Sequence, residues 1–183
     1  MPLAVQRRFA RDLAPGESRV YLGEVASTER TIVGWMWVQM LRIVGAPLPT
    51  GMLAHTPSTV VVTASSAHAQ CWTRIYHGAS RLPQVIRSMK RFAGPTGLEE
   101  RISGGIAMAL AVTVESHALV FRSAGYHWRC NRIRLPLPAW LTPGCVEVRH
   151  REEQEGHFSF VLTVVHPWWG RIFRQVAYFK DGN

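Results

Sequence analysis

The stretch from Gln70 to Gly78, QCWTRIYHG, interleaves large aromatics with a permanent cation. On a strand, successive side chains point to opposite faces, so Trp72, Arg74 and Tyr76 share one face and Thr73, Ile75 and His77 the other. Such a trio suits a ligand with an anionic or carbonyl group, the aromatics giving apolar walls and the guanidinium a charge-assisted hydrogen bond. On a solvated sheet face the same pattern is only an arginine laid along its neighbours.

Two places in the chain offer carboxylates to such a site. In CVEVRHREE the alternation groups Cys145, Glu147, Arg149 and Arg151 against Val146, Val148 and His150. Turned inward, the first set brings Glu147 and Arg149 to Arg74, where a dehydrated glutamate serves as general acid or base and an arginine stabilises an enolate. Turned outward, it forms ordinary surface ion pairs. Glu99 and Glu100 are adjacent, so on a strand one faces the core side and the other water. The loop-rich GYHWRCNRIRLPLPAW mixes arginines with Tyr126 and Trp140, residues able to roof a pocket or to stack on bases.

Other chemistries find little support. None of the eight histidines pairs at helical i, i+4 or strand HxH spacing, so no metal site is expected. No GxSxG elbow or dinucleotide-binding fingerprint occurs, and no cofactor is expected. Cys71, Cys130 and Cys145 are widely spaced, reading as small buried apolar residues in a reducing compartment.

At 183 residues, with 47% hydrophobic and 18% charged, the chain has the size and composition of one globular domain. The net charge of +9 permits nucleic acid or an anionic surface as partner. However, the arginines are scattered, without the clustering of a phosphate-tracking face. The apolar runs fall short of the ~20 residues that span a bilayer. Since no secretory signal is recognisable either, a cytoplasmic location is expected.

The elements that would position these residues are mostly strands. Residues 1–18 read as a polar lead, with one or two helical turns, and residues 19–179 as the folded body. RVYLGEVAST is a strand whose Gly23 marks a bulge or a close approach. Thr28 stands as a cap before ERTIVGWMWVQMLRIVG, a long helix with a stripe from Ile32 to Val44, stopped at Gly45. Its tryptophans, Trp35 and Trp37, cannot both face a sheet, so one of them meets a cavity edge, a partner or a membrane surface.

Strands then follow one another: STVVVTASS, AQCWTRIYHG, PQVIRSMKRF, GLEERISG, GIAMALAVTVES, ALVFRSAGYHW, CVEVRHREE, HFSFVLTVVH and RIFRQVAYF. Glu155-Gly156 makes a hairpin turn, and the proline-rich RLPLPAWLTPG a crossing loop at a rim. The pattern predicts a mainly β fold, an antiparallel barrel or half-barrel with one long N-terminal helix packed on it.

The succession YLGEV, GAPLP, WTRIYHG, EERISG, RLPLPAWLTPGCVEV, GHFSFVLTV and HPWWGRIFRQVAYF resembles the bacterial family named domain of unknown function 4166. That family often stands behind dehydrogenase-like NAD(P)-binding domains and is also found alone. The likeness runs from about Tyr21 to Phe179 and is most specific at Trp72, Arg74 and Tyr76 and at the segment ending in Glu147. It falls on Glu100-Arg101 as well, making Glu100 the better candidate of its pair, and it implies a separate oxidoreductase as a possible partner. The tandem Trp168-Trp169 departs from the family pattern.

Together these features predict a barrel pocket for a hydrophobic metabolite. The site residues are Glu147, Arg74 and Glu100 for chemistry, and Trp72, Tyr76, Arg149, Tyr126 and Trp140 for binding. A cofactor-independent cyclase or isomerase of secondary metabolism fits, as does a ligand carrier serving a separate oxidoreductase. A nucleic-acid or anionic-surface binder is the third class.

Overall fold

The computed structural model describes residues 13–43, 48–51, 53–66, 68–78, 82–130, 133–154 and 156–182, apart from the side chains of Ser103 and Cys130. Of the lead 1–18 expected to carry helical turns, residues 1–12 lie outside the described residues and 13–18 carry no helix; the helix stop at Gly45 and Glu155 of the last hairpin also lie outside them.

Among the described residues eleven strands carry the fold: β1 (Ser18–Arg30), β2 (Thr56–Ser66), β3 (Ala69–Tyr76), β4 (Gln84–Arg91), β5 (Glu99–Arg101), β6 (Ile106–Glu115), β7 (Ala118–Cys130), β8 (Ile133–Pro136), β9 (Cys145–Gln154), β10 (His157–His166) and β11 (Gly170–Asp181). Neighbours pair antiparallel throughout. β1 closes on β11, and β7 pairs with both β6 and β9, so ten strands form a complete ring. Closure removes the sheet edges that an open meander leaves unpaired. The eleventh, β8, hangs outside the ring on the far end of β7. Sequence patterning missed it because of Pro136 and the prolines that follow, yet Pro136 at a free edge forfeits no ladder bond.

The helix expectation needs correction: α1 (Ile32–Ile43) is a 12-residue segment, about 18 Å long, not a long helix. Glu29 and Arg30 stay in β1, paired with Arg174 and Phe173, so helix starts only after Thr31. Thr31 is the cap, its hydroxyl accepting the Gly34 amide at 3.0 Å. Thr28, the expected cap, is buried in β1 and accepts a hydrogen bond from Gln175 at 3.2 Å.

α1 lies over one end of the ring, its Trp37 and Val38 packed with Val164, Ile172 and Phe173. Gly34 permits that approach, since a Cβ there would be driven into the Ile172 carbonyl. Gly34→Ala is therefore expected to lower stability by about 1–3 kcal/mol in chemical denaturation. A change below a few tenths would mean that the helix can lift off Ile172 at little cost. Gly23 is likewise a close approach, against the Tyr178 carbonyl and the Phe179 ring, while the bulge falls between Val25 and Ser27.

The barrel interior is filled at one end and open at the other. Leu13, Tyr21, Val62, Phe158 and Phe179 belong to one buried cluster, with Phe158 edge-on to Tyr21 at 5.4 Å between centroids. Towards α1 the filling gives way to a cavity.

Candidate functional site

The cavity has a volume of about 530 Å³ and walls that are almost entirely apolar. α1 supplies Trp37, Met40 and Leu41 at its mouth, and the turn after β8 supplies Leu141, Thr142 and Pro143. Alternation along β3 sends Trp72, Arg74 and Tyr76 inward, and along β4 it sends Ile86, Ser88 and Lys90. Lys90 pairs across with Glu100, Glu100 with Met108 and Met108 with Tyr126, so one row crosses four strands on the inner wall.

Three charges meet there. Glu100 lies 3.5 Å from Arg74 Nη2 and 3.3 Å from Lys90 Nζ. Arg74 Nη1 donates to Ser88 Oγ at 3.1 Å, and the Lys90 ammonium sits 4.4 Å above the Trp72 ring, within cation–π range. Burial alone would raise the Glu100 pKa, but Lys90 and Arg74, with hydrogen bonds from Ser88 and Lys90, hold it at about 2. Lys90 is pushed down by burial, with Arg74 adding to the effect and Glu100 opposing it. Burial raises Tyr76 and Tyr126. With two cations and one carboxylate, the cluster keeps an excess positive charge in an apolar chamber, where it attracts an anion or polarises a carbonyl.

Polar capacity is left over. Among the described residues nothing bonds Trp72 Nε1 or Ser58 Oγ, both buried on residues that line the cavity. Buried polar atoms are rarely left this way unless water or a ligand serves them. Tyr126 lines the cavity too, and its hydroxyl donates to the Gly144 carbonyl at 2.9 Å.

The structure separates Glu147 and Arg149 from this cluster, correcting their expected place in the lumen. Val146 and Val148 face the cavity instead, across from Val164 and Leu162. Desolvating a glutamate and two arginines is costly whereas burying two valines is favourable, so that register turns the charges outward. There Glu147 accepts from Arg122 Nε at 2.7 Å and Arg149 Nε at 2.6 Å, and Glu115 accepts from Arg122 Nη2 at 2.9 Å. Glu147→Gln is expected to leave cavity binding within about twofold of the parent, as removing an exposed pair does. A larger loss in ligand titration would show that the outer cluster reaches the lumen.

Glu99 departs from expectation in another way. It points away from the lumen as Glu100 points in, yet no part of its side chain is exposed. Arg101 Nε at 2.8 Å, Arg134 at 3.3 Å, Arg129 at 3.4 Å and His127 at 3.6 Å surround it, so it is a structural anchor for β7 and β8. Trp140 stands at the rim, 59% exposed. Cys145 is exposed rather than buried, and no group of three metal-ligating side chains occurs among the described residues.

Two members of the site, Lys90 and Ser88, are not marked out by the sequence pattern. Lys90 left a signal, being one of only two lysines in a chain that otherwise uses arginine for its cations.

The model of the family described as Domain of unknown function (DUF4166) matches residues 1–179. The chain belongs to this family. In this DUF4166 domain β3 contributes Trp72, Arg74 and Tyr76 to the lumen and β9 directs Glu147 outward. No curated protein matches the chain.

Proposed function

We propose that this DUF4166 barrel binds a hydrophobic small molecule whose polar end is anionic or carbonyl-bearing and is held at Arg74, Lys90 and Glu100. The observation that supports this is the roughly 530 Å³ apolar chamber with its charges gathered at one place on the wall. Its size lies in the range of small-molecule sites, where a few converging polar groups set orientation. Ser58 and Trp72 offer further hydrogen bonds.

The same placement supports a cofactor-independent isomerase or cyclase. Arg74 would draw electron density toward a carbonyl oxygen, Lys90 with its weakened hold on a proton would exchange it, and the chamber would fold the chain of the substrate. Glu100 acts here as counter-ion and not as base, because a carboxylate with a pKa near 2 accepts protons poorly. That weak basicity also favours a second reading, a carrier that delivers its ligand to a separate oxidoreductase.

Protein purified from a native or related host, then denatured and extracted, is expected to release a stoichiometric hydrophobic compound detectable by mass spectrometry. Conversion of that compound on incubation with fresh protein separates enzyme from carrier. Ligand-free protein that also refuses long-chain fluorescent probes would overturn the pocket reading.

A further inference from the structure

Five of the seven tryptophans are exposed, and all five lie at the end of the barrel where the cavity opens: Trp35 on α1, Trp128 on β7, Trp140 after β8, and Trp168 and Trp169 between β10 and β11. The far end exposes no tryptophan; its described turns carry Ser66, His68, Ser116 and His117, with Phe92 the exposed aromatic in the turn after β4. α1 itself is apolar on both sides. While Trp37 and Val38 face the barrel, the outer side presents Ile32 at 83%, Met36 at 54% and Ile43 at 86% exposure. Apart from Gln39 and Arg42, which share an exposed hydrogen bond of 3.0 Å, the helix is apolar all round, and such a helix is normally covered on all sides.

We propose that this end of the molecule docks on an anionic lipid bilayer, with the tryptophans and the outer side of α1 seated among the headgroups. Charge favours that partner. Near the patch stand Arg30, Arg42, Arg129, Arg134, Arg171 and Arg174 against two carboxylates, Arg129 and Arg134 pairing with Glu99 and Arg171 and Arg174 with Glu29. An excess of arginine beside tryptophan suits the interface, where indole rings sit at headgroup depth and each basic residue gains from the surface potential. Continuity with the cavity favours it too. Trp37, Met40 and Leu141 line the opening, so a lipid-soluble molecule passes between chamber and hydrocarbon without crossing open water. Glu115, Arg122, Glu147 and Arg149 stand on the outer wall, where a spanning barrel presents an apolar band, and no described helix is long and apolar enough to cross. Contact is thus confined to the mouth.

The test is flotation of the full chain with vesicles of phosphatidylcholine alone and of phosphatidylcholine with phosphatidylglycerol in equal parts. Binding is expected to the mixed vesicles, with a blue shift of tryptophan emission and a fall in affinity as salt is added. The double variant Trp168→Ser/Trp169→Ser is expected to partition roughly tenfold more weakly while keeping the parent's circular dichroism and uptake of cavity probes. Arg74→Gln, which alters the chamber alone, should leave vesicle binding unchanged, so this proposal and the pocket reading fail separately. Absence from the floated fraction would overturn the proposal. So would binding that ignores the tryptophan variants, or a solution dimer whose tryptophan emission is already blue-shifted without lipid.

Discussion

Glu100→Ala is expected to remove about 3–5 kcal/mol of folding stability at neutral pH, because it strands the Arg74 and Lys90 cations in an apolar chamber. The cost comes from the charges left behind more than from the attraction lost. Hence Glu100→Leu combined with Lys90→Met should recover part of it, since exchanging a buried pair for apolar groups is often nearly neutral while, among the described residues, Arg74 keeps only Ser88 as partner. The parent's acid response follows from the same pair. The folded-state pKa of Glu100, about 2, lies below the ordinary 4.5. A depressed carboxylate stabilises the fold fully above its unfolded pKa and loses that contribution as pH falls through the folded one. The parent should therefore lose about 3 kcal/mol from this group between pH 4.5 and 2, a slope that Glu100→Gln lacks. Denaturant melts followed by tryptophan fluorescence across that range would measure both effects. If Glu100→Ala stayed within about 1 kcal/mol of the parent, the cluster would have to be hydrated in solution.

The second large effect concerns ligand chemistry. Arg74→Gln is expected to weaken a fluorescent long-chain fatty acid by roughly 10–100-fold, the worth of one charge-assisted hydrogen bond in a dry site. A neutral probe of similar length should bind nearly as before, since the apolar walls are untouched. Glu100 retains Lys90 at 3.3 Å, so the variant keeps a partner for its buried carboxylate. Fluorescence titrations with the two probes provide the comparison. Equal weakening of both would point to a damaged chamber, and no weakening of either would remove Arg74 from the binding group.

Much of the β3 site is legible in the residues of that strand alone. Period-two alternation puts Trp72, Arg74 and Tyr76 together whichever way the strand turns, and the family likeness falls on the same residues. Adjacent glutamates had to diverge, as Glu99 and Glu100 do. CVEVRHREE is less legible, because alternation defines two faces but cannot say which is inside. Its partners decided that, Val146 and Val148 meeting Val164 and Leu162 across β10. Lys90 and Ser88 were hidden because their strand carries polar residues on both faces, and only its inner row meets Glu100.

Sequence alone determined what depends on neighbours along the chain: a strand-rich body, punctuating glycines and prolines, and a helix flanked by β structure. It also determined the pairing of side chains on each face, because pleating is a local property of the backbone. Tertiary structure decided everything that depends on ring closure. When β1 met β11 and β7 met both β6 and β9, one face of every strand became a shared interior. The pairing of β3, β4 and β5 joined Arg74, Lys90 and Glu100, while closure sent Glu147 outside and gathered five distant tryptophans around one mouth. Such contacts are chosen by the free energy of burying the whole set of faces together, and no single segment carries that sum.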